Sequence, residues 1–211
     1  MSDEEAPAVY SFVLPDGTTR QGSEGYTGSA TTTYINSDKY EGNFTNGVRD
    51  GAGVYTFRNG SVFKGSYTDN KRNGLGTLTF KSGAYYHGNF VLGMRDGQGT
   101  YRYANGDVYV GSWSNNKKTG RGQYIFADSH SRLEGEWKDD QLVSDGSWRL
   151  LGGQKYTGDF KTNKPCGKGS WLLPTGDIIT GTYSLHYAPV DFAPDDKNHP
   201  PTAITATWRS I

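Results

Sequence analysis

Glycine pairs separated by one residue recur along the chain, among them Gly51-Ala52-Gly53, Gly74-Leu75-Gly76, Gly97-Gln98-Gly99 and Gly120-Arg121-Gly122. Such a pair could open a phosphate-binding loop, whose backbone amides cradle an anion at a helix N-terminus. That chemistry needs glycine again at the sixth position and a helix behind it. Gly97-Gln98-Gly99-Thr100-Tyr101-Arg102 supplies neither, so the pairs read as strand residues. His87, His130, His186 and His199 lack metal spacing, and Cys166 has no cysteine companion; a zinc site needs three or four converging ligands. A nucleophilic Cys–His pair at Cys166 has no local support, because the thiol replaces a loop residue beside Gly167. Asn43-Phe44-Thr45 and Asn59-Gly60-Ser61 match glycosylation acceptors. The start, Met1-Ser2-Asp3-Glu4-Glu5, carries no secretory signal, so both are expected to be strand and turn residues. Lys71-Arg72 and Lys117-Lys118 with Arg121 are expected to be solvated loop tips, and Asp139-Asp140 on another such loop breaks any single-sign stripe. No catalytic residue, metal ligand, cofactor or small-molecule substrate is assigned, and an enzyme is not expected.

Composition limits the elements that can position these residues. The chain has 211 residues, with 30 glycines, two methionines, 15 tyrosines, nine phenylalanines and five tryptophans. So much glycine argues against a mainly helical fold. Lys+Arg and Asp+Glu balance at 22 each, which removes the electrostatic footprint of a duplex nucleic-acid binder. Aromatic rings can stack single-stranded bases, but here the rings are needed for packing. One cysteine suits a reducing compartment, and no apolar run approaches the ~18–20 residues that span a bilayer. A soluble cytoplasmic protein is expected.

A period of 23 residues organises the chain. From Tyr40 it meets Phe63, Tyr86 and Tyr109; then Gly42, Gly65, Gly88 and Gly111; then Phe44, Tyr67, Phe90 and Trp113. A second set follows: Gly51, Gly74, Gly97 and Gly120, with Gly53, Gly76, Gly99 and Gly122 two residues later. Tyr55, Leu78, Tyr101 and Tyr124 come next, then Phe57, Phe80, Tyr103 and Phe126. After one inserted residue the pattern resumes at Leu133, Gly135 and Trp137, again at Tyr156, Gly158 and Phe160, and last at Ile179, Gly181 and Tyr183. Weaker traces lie upstream, at Tyr10, Phe12 and Tyr34. Six to seven units therefore fill residues 10–183, behind an acidic leader at 1–9 and ahead of a tail at 184–211.

Within a unit the marked residues alternate with polar ones, as in Tyr40, Gly42, Phe44 against Glu41, Asn43, Thr45. Alternate residues share one face of a strand, so each unit reads as two antiparallel strands with an aromatic–glycine face. Asn59-Gly60, Ser82-Gly83 and Asn105-Gly106 supply the positive φ of turns between hairpins, while the turns within units are expected to be longer polar loops such as residues 69–73. Glycine weakens a strand; the reason expected here is room for a ring to lie flat on the neighbouring backbone. A lone unit buries too little to fold, so stacking must stabilise the array. The fold class is all-β, a meander of stacked hairpins.

Tyr-x-Gly-x-Phe, a polar loop, Gly-x-Gly-x-Tyr-x-Phe and Asn-Gly together resemble the MORN (membrane occupation and recognition nexus) repeat, most closely over residues 40–126. MORN arrays occur in junctophilins, plant phosphoinositide kinases, a histone methyltransferase and cytoskeletal or axonemal scaffolds, so the repeat alone does not fix function. The acidic start, the run Asn163-Lys164-Pro165-Cys166-Gly167-Lys168-Gly169 and the later Pro200-Pro201-Thr202-Ala203-Ile204-Thr205 are similar to the MORN-repeat subunits of the ciliary radial-spoke head. That resemblance implies a non-enzymatic scaffold of the ciliary or flagellar axoneme that binds other spoke-head proteins. The expected binding groove is lined by Phe44, Tyr67, Phe90, Trp113, Trp137 and Phe160, with Tyr55, Tyr101 and Tyr124 opposite. Terminal repeats could pair with a second copy. The proline-containing tail is expected to run without regular structure, with Phe192, Ile204 and Trp208 as anchors that dock on a partner or fold back over the last repeat. The alternative is a membrane-associated adaptor whose basic loop tips meet anionic lipid; the sequence has no polybasic run, amphipathic helix or lipidation signal to support it.

Overall fold

The structure, a computed structural model, describes residues 9–189 and 202–211. They are all β: seventeen strands and no helix among the described residues, with every described pairing antiparallel. The chain divides into two compact units, the first ending at Lys117 and the second beginning at Lys118. The first contains β1 (Val9–Val13), β2 (Thr19–Arg20), β3 (Gly28–Tyr34), β4 (Lys39–Thr45), β5 (Val48–Thr56), β6 (Val62–Thr68), β7 (Lys71–Thr79), β8 (Tyr85–Val91), β9 (Met94–Arg102) and β10 (Val108–Ser114). There β1 pairs with both β2 and β3, and from β3 onward each strand pairs with its successor. The second unit holds β11 (Lys117–Ile125), β12 (Arg132–Lys138), β13 (Gln141–Arg149), β14 (Lys155–Lys161), β15 (Lys164–Leu172), β16 (Ile178–Pro189) and β17 (Thr202–Ser210), again paired in succession.

Two kinds of turn alternate. Between units, Gly60, Gly83 and Gly106 take φ of +86°, +84° and +91° as the sequence implies, and Asn59 Oδ1 accepts from the Ser61 amide at 2.9 Å. Within units the connections are tighter than the expected loops. Asn46-Gly47, Asp69-Asn70, Leu92-Gly93, Asn115-Asn116, Asp139-Asp140 and Thr162-Asn163 are two-residue turns with both φ positive. Positive φ at both central residues is the type I′ geometry that matches strand twist. Arg72 and Asn73, expected in a loop, therefore belong to β7.

The hairpins β4–β5, β6–β7, β8–β9 and β12–β13 carry a β-bulge at a fixed place. Gly42 faces Gly53 but Phe44 faces Arg49, so Asn43 opposes three residues, with Gly51 at φ +91°. The same shift recurs at Gly74 and Gly97, with φ of +84° and +100°. In β13 the equivalent residue is Ser144, at φ +51°. A left-handed conformation costs a non-glycine residue about 1–2 kcal/mol, partly offset by the entropy glycine loses on folding. Ser144→Gly should therefore raise stability by about 1 kcal/mol, or roughly 3 °C in a melt followed by circular dichroism. An unchanged or lower melting temperature would contradict this assignment of strain.

The tail forms a regular strand where an irregular path was expected, and it takes one of the two placements expected of it. Residues 202–210 form β17, which returns antiparallel along β16 with Trp208 opposite Tyr183 and Ile204 opposite Tyr187. The rings of Trp208 and Tyr183 lie 4.9 Å apart, and Trp208 sits against Gly181, where any Cβ would strike the indole. Folding back covers the edge that β16 would otherwise leave unpaired. Phe192 lies outside the described residues.

Candidate functional site

The face that could hold a partner is built in layers, and the deepest follows from the glycines. Tyr40, Phe63, Tyr86, Tyr109 and Tyr156 are fully buried. A Cβ on Gly65 or Gly76 would come within 2.6 Å of the Phe63 ring, and one on Gly53 or Gly99 would strike Tyr40 or Tyr86. The rings thus lie on bare backbone, as the sequence implies. Three of the four tyrosines end in hydrogen bonds: Tyr40 Oη donates to the Asn43 carbonyl at 3.0 Å, Tyr86 Oη to that of Asn89 at 3.0 Å and Tyr109 Oη to that of Ser112 at 3.2 Å, while Tyr156 Oη is buried without a partner.

The second layer joins one unit to the next. Tyr40–Phe44, Phe63–Tyr67, Tyr86–Phe90 and Tyr109–Trp113 are edge-to-face pairs at 5.1–5.4 Å and 88–90°. The same rings meet the following hairpin at nearly the same geometry: Tyr40–Tyr67, Phe63–Phe90 and Tyr86–Trp113, at 5.1–5.4 Å and 81–83°. Each such pair contributes about 0.5–1.5 kcal/mol beyond its area.

A third layer consists of cations set among the rings, three of them buried and Arg95 partly exposed, that the sequence reading missed. Arg49, Arg72, Arg95 and Lys118 recur every 23 residues, just after the within-unit turn. Arg49 is only 3% exposed, with its guanidinium carbon 5.1–5.9 Å from the rings of Tyr34, Tyr40, Tyr55 and Tyr67. Arg95 lies 4.5 Å from the Trp113 ring, and the Lys118 ammonium 4.8 Å from that of Trp137. These are cation–π contacts with the ring faces. Each residue is also bound to the next turn along. Arg49 Nη2 donates to the Asn70 carbonyl at 2.8 Å, its amide donates to Asn70 Oδ1 at 2.8 Å, and Asn70 N donates back to the Arg49 carbonyl at 3.0 Å. Arg95 repeats the arrangement with Asn116. Arg72 and Lys118 were expected to be solvated; they are 4% and 9% exposed. The register signal was available in the sequence, but basic residues beside a turn read as surface until their alternation with the rings is placed on one face.

This packing corrects the groove assignment. Phe44, Tyr55, Tyr67, Phe90, Trp113, Trp137 and Phe160 are all buried by their own chain, so they form a floor that a partner does not reach. Tyr55 also donates to Asp38 Oδ2 at 2.7 Å. Tyr101 and Tyr124 remain partly exposed, and so do Phe57, Phe80, Tyr103 and Phe126, which the groove assignment omitted. These lie on the floor: Tyr55–Phe57 at 4.6 Å, Tyr101–Tyr103 at 4.5 Å and Phe80–Tyr101 at 5.9 Å. In the first unit a cavity of about 280 Å³ is lined by Arg72, Leu78, Phe80, Phe90, Arg95 and Asn116. In the second, one of about 430 Å³ is lined largely by Phe126, Leu133, Trp148, Pro165 and Tyr183.

Electrostatics agree with a packing role for the deepest layer. Burial pushes the Tyr86 phenol up to about 12, with the Arg95 charge pulling it partly back, and burial likewise takes Tyr156 to about 12. Tyr40 and Tyr55 are also raised, mainly by burial, and in Tyr55 further by its bond to Asp38. An unfolded tyrosine ionises near ~10. These phenols therefore add stability that is complete below about pH 10 and is lost as pH rises toward the folded values, by at most about 1.4 kcal/mol per pH unit for each. Melting temperature should be level from pH 8 to 9.5 and fall steeply by pH 11; a level profile to pH 11 would contradict the burial of these groups. Burial, then the Asp159 charge, also raises the Cys166 thiol, which moves it away from the reactive thiolate. His87 Nδ1 and His186 Nε2 each meet a threonine hydroxyl at 2.8 Å, and His199 lies outside the described residues.

A family model described as "MORN repeat" matches residues 40–62, 63–85, 86–108, 109–131 and 156–178. The unmatched stretch 132–155 forms the hairpin β12–β13, in which Leu133, Leu142 and Ser144 stand where other units have a ring, a cation and a bulge glycine. Among solved structures, the TCP domain of SAS-4 (dCPAP) of Drosophila melanogaster, in complex with a proline-rich motif of Ana2 (dSTIL), is similar with a TM-score of 0.51. It is 16% identical, over 84% of this chain and 91% of that one. The wild-type TCP10 domain of Danio rerio CPAP is also found, with a TM-score of 0.33 and 15% identity, over 80% of this chain and 91% of that one. At these identities the first likeness is one of fold alone. No curated protein matches the chain by sequence. With five matched repeats spanning more than half of its residues, the chain belongs to the MORN-repeat family.

Proposed function

We propose that this protein is a non-enzymatic scaffold of the ciliary axoneme, a component of the radial-spoke head whose partly exposed rings receive extended segments of other spoke-head subunits. The observation that carries the binding role is the row of Phe57, Phe80 and Tyr103, which is partly exposed above a floor of buried rings. Exposed aromatic anchors at regular intervals suit a partner segment better than they suit solvent. The proline-rich motif bound by the SAS-4 TCP domain supports an extended occupant. The spoke-head placement is supported by the sequence resemblance at residues 163–169 and 200–205. The membrane alternative loses ground, because Arg72 and Lys118, two of its basic tips, are buried among rings. A second copy pairing at the C-terminal end would have to use the outer edge of β17, since β17 occupies that of β16.

The test is affinity purification of the tagged chain from salt-extracted axonemes. Spoke-head subunits should co-purify with the wild-type chain and be depleted at least fivefold by Phe57→Ser with Phe80→Ser, at a temperature where circular dichroism shows the variant fully folded. Absence of spoke-head subunits from the wild-type eluate would overturn the proposal.

A further inference from the structure

We propose that the cavity of the second unit is a binding site for an arginine side chain of a partner protein, which takes the place that the array's own cations fill in the first unit. The site belongs to the second unit alone, and the inference stands or falls apart from the ring row discussed above. The first argument is register. Arg49 lies among Tyr34, Tyr40, Tyr55 and Tyr67, and its Nη2 donates to the carbonyl of Asn70, the second residue of the next turn. Arg72 and Arg95 donate likewise to the carbonyls of Gly93 and Asn116, each at 2.7 Å. Around the hairpin β12–β13 the corresponding positions hold Phe126, Leu133, Trp148, Phe160 and Asn163, but Leu142 stands where the cation would be. A leucine is shorter than an arginine and offers the turn carbonyl no donor. Pro165 continues the series in β15, so two successive hairpins lack the cation.

The second argument is the cavity itself. Four of those five positions, Phe126, Leu133, Trp148 and Asn163, line it, and Pro165 forms another part of its wall. Its volume is about 430 Å³, against about 280 Å³ for the cavity of the first unit lined by Phe80, Asn116 and Arg95, the equivalents of Phe126, Asn163 and Leu142. The space is larger where the cation is missing. An incoming side chain reaches it, because Phe126 and Trp148 are partly exposed and Asn163 is exposed. Ring faces attract a guanidinium, the more so where water is partly excluded. The planar fork of arginine can stack on a ring and donate to the Asn163 carbonyl at once, which an ammonium cannot do. Lys164 lines the same cavity, and its charge is no bar to a cation there: Lys71 and Lys117 hold the corresponding place relative to Arg49 and Arg95.

NMR titration of the full isotope-labelled chain at physiological salt tests this, with the peptide Ser-Gly-Arg-Gly-Ser and its counterparts carrying lysine, leucine or citrulline at the centre. Citrulline keeps the shape of arginine and loses the charge. The reporter is the Trp148 indole N–H resonance, assigned by its disappearance in Trp148→Phe. The arginine peptide should shift that resonance saturably and bind about fivefold tighter than the lysine peptide and about tenfold tighter than the other two. Leu142→Arg, which restores the array's own cation, should abolish the shift in a chain that circular dichroism shows to be folded. The peptide comparison is made on the wild-type chain, so it decides the matter even if Leu142→Arg fails to fold. Equal affinity for the arginine and lysine peptides, a leucine or citrulline peptide as tight as the arginine one, or binding retained by folded Leu142→Arg overturns the proposal. A lack of any saturable shift overturns it too; a wild-type dimer that Leu142→Arg converts to a monomer in sedimentation would then give the cavity to a second copy of this chain.

Discussion

Gly88→Ala should destabilise the protein by about 3 kcal/mol and lower its melting temperature by roughly 10 °C. The new methyl group would sit 2.5 Å from the Gly99 Cα, 2.5 Å from Tyr86 Oη and 2.6 Å from the Gln98 carbonyl oxygen. Two of those atoms are backbone of the facing strand, so a rotamer change cannot relieve the clash; β8 and β9 must separate or Tyr86 must leave its seat. Gly83 provides the comparison. It has φ +84° and nothing within 4 Å of an added Cβ, so Gly83→Ala meets conformational strain alone and should cost about 1 kcal/mol. Chemical unfolding of both variants checks the difference, and equal losses would mean that the rings are not seated on bare backbone.

Arg49→Ala should cost about 3–4 kcal/mol, because it removes cation–π contacts with four tyrosines, leaves a cavity among them and breaks the guanidinium hydrogen bonds to the next turn. The backbone bond from the Arg49 amide to Asn70 Oδ1 can survive, but the guanidinium bonds cannot. Arg49→Lys keeps the charge and loses the planar fork, so it should recover about half of the loss. Urea titration reads both as a shift in midpoint. The second unit shows that a non-polar residue can fill the place: Leu142, at the equivalent position in β13, is fully buried, and its amide still donates a hydrogen bond to the next turn, to Asn163 Oδ1 at 2.7 Å. An alanine variant within 1 kcal/mol of wild type would refute the account of these cations as ties between successive hairpins.

The hairpins, their register and the role of the glycines were legible in the sequence because period 2 and period 23 coincide on the same residues. Tyr40, Gly42 and Phe44 mark a face, and the step to Phe63, Gly65 and Tyr67 marks a neighbour. Side-chain depth was less legible. Phe44 and Phe57 are both phenylalanines on a regular 23-residue series, yet one is buried against Tyr40 and Phe12 and the other lies at the start of a turn, partly exposed. Nothing in residue type separates them; the distinction comes from which strand the next hairpin lays over which ring. The turns were misjudged for a similar reason. Asp69-Asn70-Lys71-Arg72-Asn73 is uniformly polar and reads as loop, but Asp69 and Asn70 adopt left-handed φ, which closes the turn in two residues and turns Arg72 inward. The return of residues 202–210 along β16 was one of two readings left open by a tail rich in proline with spaced apolar anchors, and backbone pairing decided between them.

The central proposal is that the partly exposed rings of the first unit, not its buried floor, tie this protein to the axoneme. Expressing tagged wild-type chain and the Phe57→Ser, Phe80→Ser variant in ciliated cells, then extracting with detergent, measures it directly. The wild-type signal should persist along the extracted axoneme, and the variant, folded and expressed at the same level, should be washed out. Retention of the variant at the wild-type level, or a wild-type signal confined to a detergent-soluble membrane rim, would contradict it.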